Sequence, residues 1–157
     1  MSIDLVLCAT DLSREEGAAW RSAAQLLRAL KARARILHVI EPVPFPYASE
    51  GPGIDELQER LRSELLNEAR RAVHSRLDSL QQEWEEDLRP EKIEAVIARE
   101  GIAAETILFE AKRAGADMIL VFNHRRYPVS RFFLGSVAQQ VVSDARIPVV
   151  VLPIAGV

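Results

Sequence analysis

Three arginines and one histidine precede a predicted helix start in the C-terminal third of the chain. They are His124, Arg125, Arg126 and Arg131, and a helix pattern begins after Gly135-Ser136. The first backbone N–H groups of a helix lack partners and lie at the positive end of its dipole, so they favour an anion. Arginine forks bind phosphate through two parallel hydrogen bonds. The spacing predicts an anion or phosphate site, although arginines on a solvated loop would also serve solubility alone.

Few other residues offer catalytic or metal-binding chemistry. The sequence has no G-x-x-x-x-G-K-[ST] loop, no G-x-S-x-G elbow and no H-E-x-x-H motif. His38 and His74 have no partner at metal-ligand spacing, so we expect a strand-end and a helix-surface residue. The single cysteine, Cys8, excludes an internal disulfide and lies in an apolar run typical of a core thiol. We therefore predict no catalytic residue and no metal site, and binding is favoured over catalysis.

Composition places the chain among ordinary globular proteins. Its 157 residues are 48% hydrophobic and 27% charged, which predicts a single domain over residues 1–157. The net charge of -3 gives no strong attraction to nucleic acid or to an anionic membrane. No apolar stretch approaches the roughly 20 residues that span a bilayer. The N-terminus has no basic region before its apolar run, so no signal peptide is expected and a cytoplasmic location is predicted.

Short apolar runs alternate with helix patterns along the chain. The runs that predict strands cover residues 3–9, 34–40, 92–98, 118–122 and 147–152. Strict alternation predicts an α/β fold with a five-stranded parallel sheet and helices on both faces. Ligands of such sheets bind outside the carboxyl ends of the strands. If the first strand neighbours the fourth, Thr10 to Ser13 and Phe122 to Arg126 form the lips of that crevice.

Three segments carry more local predictions. Ser13 with Glu16 three residues later has the capping-box spacing, so Ser13 is predicted to cap the first helix. The second helix pattern keeps one apolar stripe through Ile54, Leu57, Leu61, Leu65, Ala69, Val73, Leu77, Leu80, Trp84 and Leu88. This length exceeds what one sheet can cover, so its last turns are expected to project beyond the sheet or to bend, and a short coiled coil is the alternative. The proline-rich arm 42–53 cannot be regular structure and could close over the crevice as a lid.

Several strand ends and one C-terminal segment together form a family pattern. The segments are Asp11-Leu12-Ser13, His38-Val39, Arg99-Glu100-Gly101, and Ser130-Arg131-x-x-Leu134-Gly135-Ser136-Val137 followed by Ile147-Pro148-Val149-Val150-Val151. In these residues the whole chain resembles the universal stress protein family, and the last segment is the specific match. The resemblance implies a Rossmann-like fold of the adenine nucleotide alpha hydrolase type, with strand order 3-2-1-4-5. It also implies a role in the stress response.

The resemblance also implies an adenine-nucleotide site for ATP or AMP. Asp11 would contact the adenine or ribose end, and the backbone of Val39 would meet the base. Asp11 would serve equally well as a turn or capping acid. The other candidate nucleotide- or anion-binding residues are Gly101, Asn123, Gly135, Ser136 and Val137, together with Arg125 and Arg126, whose side chains would bind the anion in place of bare backbone.

The sequence departs from the family's glycine pattern. Nucleotide-binding members of the family share a motif of a glycine, two residues, a second glycine, nine residues and then Gly-Ser or Gly-Thr. When this motif is aligned on Gly135-Ser136, its first two glycines fall at Phe122 and Arg125. A left-handed conformation at a non-glycine residue costs roughly 1–2 kcal/mol, and both side chains would add bulk where phosphate lies. Three outcomes stay open: ATP bound by the loop, another anion or nucleotide mode that uses arginines, and no phosphate site.

The last predicted strand suggests a protein partner. Members of the family that this chain resembles form homodimers through antiparallel pairing of their last strands. This implies a dimer through Pro148, Val149, Val150, Val151 and Leu152, an apolar edge open to pairing. The first hypothesis is therefore a homodimeric regulatory protein that contacts an unidentified protein partner and lacks the glycine-loop ATP site. The second is an adenine-nucleotide sensor with at most slow hydrolysis, and a hydrolase or ligase acting on an adenylate is a third class.

Overall fold

The structure, a computed structural model, describes residues 2–42, 53–84, 92–123 and 134–154. Its strands are β1 (Leu5–Thr10), β2 (Arg33–Ile40), β3 (Ile93–Glu100), β4 (Met118–Asn123) and β5 (Val149–Pro153). Its helices are α1 (Gly17–Leu30), α2 (Ile54–Trp84), α3 (Ala103–Ala114) and α4 (Ser136–Asp144). A short 3-10 helix, Arg14–Glu16, precedes α1.

The five strands form one parallel sheet in the order β3-β2-β1-β4-β5. The predicted α/β fold class and strand order are confirmed. β1 lies in the centre, between β2 and β4, and all six of its residues are buried. Because every strand runs in the same direction, the last residues of β1, β2 and β4 lie at the same edge of the sheet. They are Thr10, Ile40 and Asn123. We call this edge the carboxyl edge.

The core is divided between the two faces of the sheet. Val6, Cys8, Leu120 and Phe122 pack on one face, together with α1 and the second half of α2. Leu7, Ile119 and Val121 pack on the other face, against α3 and α4. Successive strand residues therefore point to opposite faces, as the period of two requires. Cys8 is the expected core thiol, and burial raises its pKa to about 12.

The length of α2 predicts that its last turns project beyond the sheet or bend, whereas in the structure the leucines of its first turns are exposed. Val73 and Leu77 are buried in the core, but Leu57, Leu61 and Leu65 are 56%, 44% and 54% exposed. The first turns of α2 therefore extend past the surface that the sheet can cover. Periodicity alone could not distinguish these two halves, because the apolar spacing is the same in both.

At the opposite edge of the sheet, hydrogen bonds made by Asp117 hold β1 beside β4. The Asp117 carboxylate accepts hydrogen bonds from the backbone N–H groups of Asp4 and Leu5, at 2.9 and 3.0 Å. Those two N–H groups lower the pKa of Asp117 below its ordinary value. The Asp117 N–H also donates to the Leu5 carbonyl, at 2.9 Å. These bonds fix the register that brings Thr10 and Asn123 to the carboxyl edge.

Candidate functional site at the carboxyl edge of the sheet

A buried carboxyl group lies beneath the end of β1. The side chain of Glu16 is 1% exposed, although glutamate is among the residues least often buried. Its Oε1 accepts a hydrogen bond from the Asp11 N–H at 3.0 Å, and its Oε2 accepts one from Trp20 Nε1 at 3.2 Å. Its Oε2 also accepts the hydroxyl hydrogen of Thr10. Glu16 therefore ties the end of β1 to the start of α1.

The environment of Glu16 shifts its proton affinity. Burial raises the pKa of this carboxyl from its ordinary 4.5 to about 8, and a hydrogen bond with the Asp11 side chain acts in the same direction. The Thr10 hydroxyl and the Asp11 N–H act in the opposite direction, because they stabilise the charged form. Desolvation is the largest of these causes. Near neutral pH, this carboxyl therefore retains its proton more than an exposed glutamate does.

The capping-box prediction for Ser13 and Glu16 is wrong. Ser13 is extended, and its side chain makes no cap hydrogen bond with the short helix that follows it. Glu16 uses its carboxyl on Thr10, Asp11 and Trp20 instead of the Ser13 backbone. A signal for this role was present in the sequence. The buried stripe of α1 at Ala19, Trp20 and Ala23, extended back by one turn, reaches position 16.

Asp11, predicted to contact a nucleotide, lies in a tight turn at the carboxyl edge. Its Oδ1 accepts a hydrogen bond from the Ser13 N–H at 2.8 Å, an Asx-turn geometry. Leu12 has a φ of 64°, a left-handed conformation, and its N–H donates to Thr10 Oγ1 at 3.0 Å. The alternative prediction of a turn acid therefore describes what the Asp11 carboxylate does in this structure.

His38 adds a ring nitrogen on the neighbouring strand. Its Nδ1 lies 2.8 Å from the carbonyl oxygen of Thr10, its partner residue in the β1–β2 register. A carbonyl only accepts, so Nδ1 donates the hydrogen of this bond. The expected strand-end position of His38 is confirmed. The bond ties the ends of β1 and β2 together at the carboxyl edge.

Phe122 does not place its ring where the sequence led us to expect it. The residue is 7% exposed and lies within β4, where it is paired with Leu152. Its ring centroid is 4.7 Å from that of Trp20, in a tilted arrangement favourable for aromatic pairs. The expectation that the Phe122 side chain fills the path of a phosphate is wrong, because the ring points into the core. The backbone at Phe122 is extended strand, paired with β5.

Asn123 joins the end of β4 to the start of α4. Its side chain is 7% exposed, and its Oδ1 accepts a hydrogen bond from the Gly135 N–H at 2.8 Å. Gly135 is the N-cap residue of α4, Ser136 is exposed at the first position, and Val137 packs half-buried against the core. Three predicted binding residues, Asn123, Gly135 and Ser136, are thus brought together. The Asn123 oxygen and the Gly135 N–H satisfy each other.

Gly101 and Val39 lie at the β2–β3 end of the carboxyl edge. The Gly101 N–H donates to the carbonyl of Ile40 at 3.1 Å, and its φ is 151°. A Cβ at this position would lie 2.4 Å from Thr106 Oγ1. Val39 pairs with Arg99 and packs half-buried against the core on the α3 face. Gly101 therefore has a structural reason to be glycine that needs no ligand.

The segment predicted to bind an anion lies outside the described residues. His124, Arg125, Arg126 and Arg131 all fall there, as does nearly all of the arm 42–53. Pro148 is described and lies before β5, so its predicted place in the strand is wrong. Its carbonyl accepts a hydrogen bond from the Ile119 N–H at 2.9 Å.

The described residues contain no group of three or more His, Cys, Asp or Glu side chains that could hold a metal ion. Within the same residues, no helix is long and apolar enough to cross a membrane. The carboxyl edge instead combines hydroxyl, amide, imidazole and carboxyl groups. These groups can exchange hydrogen bonds with a polar ligand and can bind or release a proton.

Comparisons with known proteins identify relatives of this chain. It is 26% identical over 148 residues to the universal stress protein MJ0531 of Methanocaldococcus jannaschii, covering 94% of this chain and 80% of the relative. The solved structure of the hypothetical protein MJ0577 matches with a TM-score of 0.73 at 22% identity, over 100% of both chains. A universal stress protein solved in complex with cAMP matches with a TM-score of 0.68 at 17% identity, over 99% of this chain and 100% of that one.

The two structural matches fall below 25% identity and establish the shared fold alone. The family model carries the stronger statement, because it extends along nearly the whole chain. This model, described as the universal stress protein family, matches residues 3–153. The predicted resemblance is confirmed, and the chain belongs to the universal stress protein family.

Proposed function

We propose that this protein is a homodimeric regulatory module of the stress response that acts through contacts with other proteins. In this proposal the carboxyl edge does not hold ATP through a glycine loop. The observation that carries the proposal is the hydrogen bond of 2.8 Å between Asn123 Oδ1 and the Gly135 N–H. This N–H lies where a phosphate-binding loop would present bare backbone, and here a buried side chain already uses it.

The conformation at position 122 supports the same proposal. Glycines allow a phosphate loop to adopt left-handed angles and to approach the ligand closely. Phe122 instead stays in regular strand pairing with Leu152, and its ring is held by Trp20. Turning this residue out of the strand would expose a buried aromatic ring. Burial of such a side chain contributes roughly 1.5–3 kcal/mol, so the strand conformation is favoured.

The proposed dimer uses the outer edge of β5. Val149, Val150, Val151 and Leu152 are each partly exposed, and β5 is the edge strand of the described sheet. An apolar edge of this kind pairs readily with a second copy. The strand is five residues long and ends in Pro153, which has no N–H to donate, so the pairing would be short.

Two measurements test the proposal. Calorimetry with ATP, ADP and AMP, with and without magnesium, should give no ATP binding to folded protein. Micromolar ATP binding that is lost in both Asp11→Ala and Gly135→Ala would overturn this part. Sedimentation should give a dimer that Val150→Lys dissociates, because an edge lysine opposes strand pairing. Val142→Lys, on the exposed face of α4, is the matched control and should stay dimeric.

A second candidate function is an adenine-nucleotide sensor without the glycine loop. It is favoured by the cAMP complex of the structural relative and by the polar groups at this edge, which include His38 and Ser136. Binding of AMP or cAMP but not ATP, weakened by Ser136→Ala, would support this candidate. Such a result would leave the dimer part of the first proposal intact.

A further inference from the structure

We propose that the first half of α2 pairs with the same segment of a second copy of the chain. The pairing surface, which we call the leucine face, consists of Leu57, Leu61 and Leu65. The two helices would lie antiparallel, with Leu61 at the centre of the contact. This pairing does not depend on the proposed β5 dimer, and where both interfaces form, dimers join into larger assemblies.

The leucine face is a different side of α2 from the one that packs on the sheet. α2 lies against β2 and β3, and its Val73 and Leu77 are buried there in the core. At about 100° per residue, Leu61 lies roughly 120–160° around the helix from these two residues. Leu57 and Leu65 lie within about 40° of Leu61. The three leucines, each 44% to 56% exposed, therefore form one apolar row outside the core.

The charges around the leucine face favour a protein of mixed charge as its partner. Five acidic side chains and two arginines lie between residues 54 and 68. They are Asp55, Glu56, Glu59, Glu64 and Glu68, with Arg60 and Arg62. The acidic excess opposes an anionic membrane and nucleic acid, both of which attract basic helices. An apolar row between charges of both signs is typical of helices that pair with other helices.

A second copy of α2 supplies both the apolar row and the matching charges. In an antiparallel pair centred on Leu61, the residues after Leu61 on one helix lie opposite those before it on the other. Leu57 then lies at the same height as Leu65 of the second copy. With a rise of 1.5 Å per residue, Arg60 lies about 3 Å along the axis from Glu64 of the second copy, on the same flank. This pair of opposite charges occurs twice by symmetry, so the leucine face is complementary to itself.

The position of α2 separates this contact from the β5 edge. α2 lies on β3 and β2, at the end of the sheet away from β5. A β5 dimer would therefore keep its two leucine faces available, and pairing them would join two dimers. Stable interfaces bury about 800 Å² on each partner, and three leucine side chains supply only part of that area. The association should therefore appear only as protein concentration rises.

Sedimentation over a wide range of protein concentration tests the pairing. Val150→Lys serves as the background, because it removes pairing through β5. In this background the chain should form a dimer as concentration rises. Adding Leu61→Lys should keep it monomeric, because two like charges would meet at the centre of the contact. Ser63→Lys, exposed on the opposite side of α2, is the matched control and should leave the dimer intact.

Exchange of two charges tests the antiparallel register. In the same background, Arg60→Glu should weaken the association about tenfold, because two like-charge contacts replace two opposite-charge contacts. Adding Glu64→Arg should restore it, since each pair then has its signs reversed. Both positions are exposed, so neither change should disturb the core. If Leu61→Lys does not fold, this exchange alone decides.

A Val150→Lys chain that stays monomeric at every concentration would overturn the proposal, as would a dimer that survives Leu61→Lys. So would an Arg60→Glu variant that associates as well as its parent, or a double exchange that fails to recover. The β5 dimer is judged separately, from the wild type at low concentration. A wild-type dimer that Leu61→Lys dissociates and Val150→Lys does not would support the leucine face and count against β5 pairing.

Discussion

Replacement of Glu16 by glutamine should change how the stability of the protein depends on pH. In the folded state, burial raises the pKa of Glu16 from its ordinary 4.5 to about 8. Between these values the unfolded chain releases the proton and the folded chain retains it. The unfolded state therefore binds fewer protons, and the free energy of unfolding must fall as pH rises. Below pH 4.5 the carboxyl makes no such contribution, because it is protonated in both states.

The size of the effect follows from the same two values. One pH unit of difference in proton affinity corresponds to about 1.4 kcal/mol, so the wild type should lose about 3 kcal/mol from this group between pH 4.5 and pH 7. The loss should approach about 5 kcal/mol above pH 8. Glutamine has the same shape and keeps one acceptor for the donors of Asp11 or Trp20. Relative to the wild type, Glu16→Gln should therefore become steadily more stable as pH rises.

Urea denaturation of both proteins at closely spaced pH values measures this difference. Subtracting the two curves removes every titrating group that they share. Glu94→Gln is the matched control, because Glu94 is exposed and its pKa is lowered by Arg35 and Arg33. Its contribution has the opposite sign and is lost only as pH falls through the acid range. A difference between wild type and Glu16→Gln that stays flat from pH 4.5 to above pH 8 would refute the reasoning.

Three further predictions concern the packing that positions the site, and urea denaturation measures each. Leu77→Ala, in the buried half of α2, should lower the free energy of unfolding by about 2–5 kcal/mol. Leu57→Ala, in the exposed half, should change it by no more than about 0.5 kcal/mol. Equal losses in the two variants would contradict the division of α2 into a buried and an exposed half. Asn123→Ala should cost about 1–3 kcal/mol because it leaves the Gly135 N–H without its acceptor, and Asn123→Asp, which keeps an acceptor, should cost less. Gly101→Ala should cost about 1–3 kcal/mol through its φ of 151° and the contact with Thr106, and adding Thr106→Ala should recover only the steric part.

The fold was predictable because its signals are local and repeated. Five short apolar runs separated by helix patterns leave few alternatives to a parallel α/β sheet. Gly115 ends α3 in the left-handed conformation that glycine commonly adopts just past a helix end. The strand order required more than periodicity, because alternation alone does not state which strands are neighbours. The family resemblance supplied it.

The site was less predictable because tertiary contacts determine its chemistry. The spacing of Ser13 and Glu16 matches a capping box, yet the approach of Thr10 and Trp20 draws the Glu16 carboxyl inward. Phe122 ends the predicted fourth strand, and its alignment with a family glycine suggested bulk beside a phosphate, but its ring packs on Trp20 and β4 continues to Asn123. In both cases the spacing along the chain was identified correctly. Which face of an element the side chain occupies depended on its neighbours.

A ligand at this edge must compete with bonds that the protein already makes with itself. A phosphate that contacts the Gly135 N–H has to displace Asn123, which would leave a buried amide oxygen unsatisfied at a cost of about 1–3 kcal/mol. That cost must be offset before a phosphate binds at the Gly135 N–H. A ligand that binds this edge without displacing Asn123 avoids the cost.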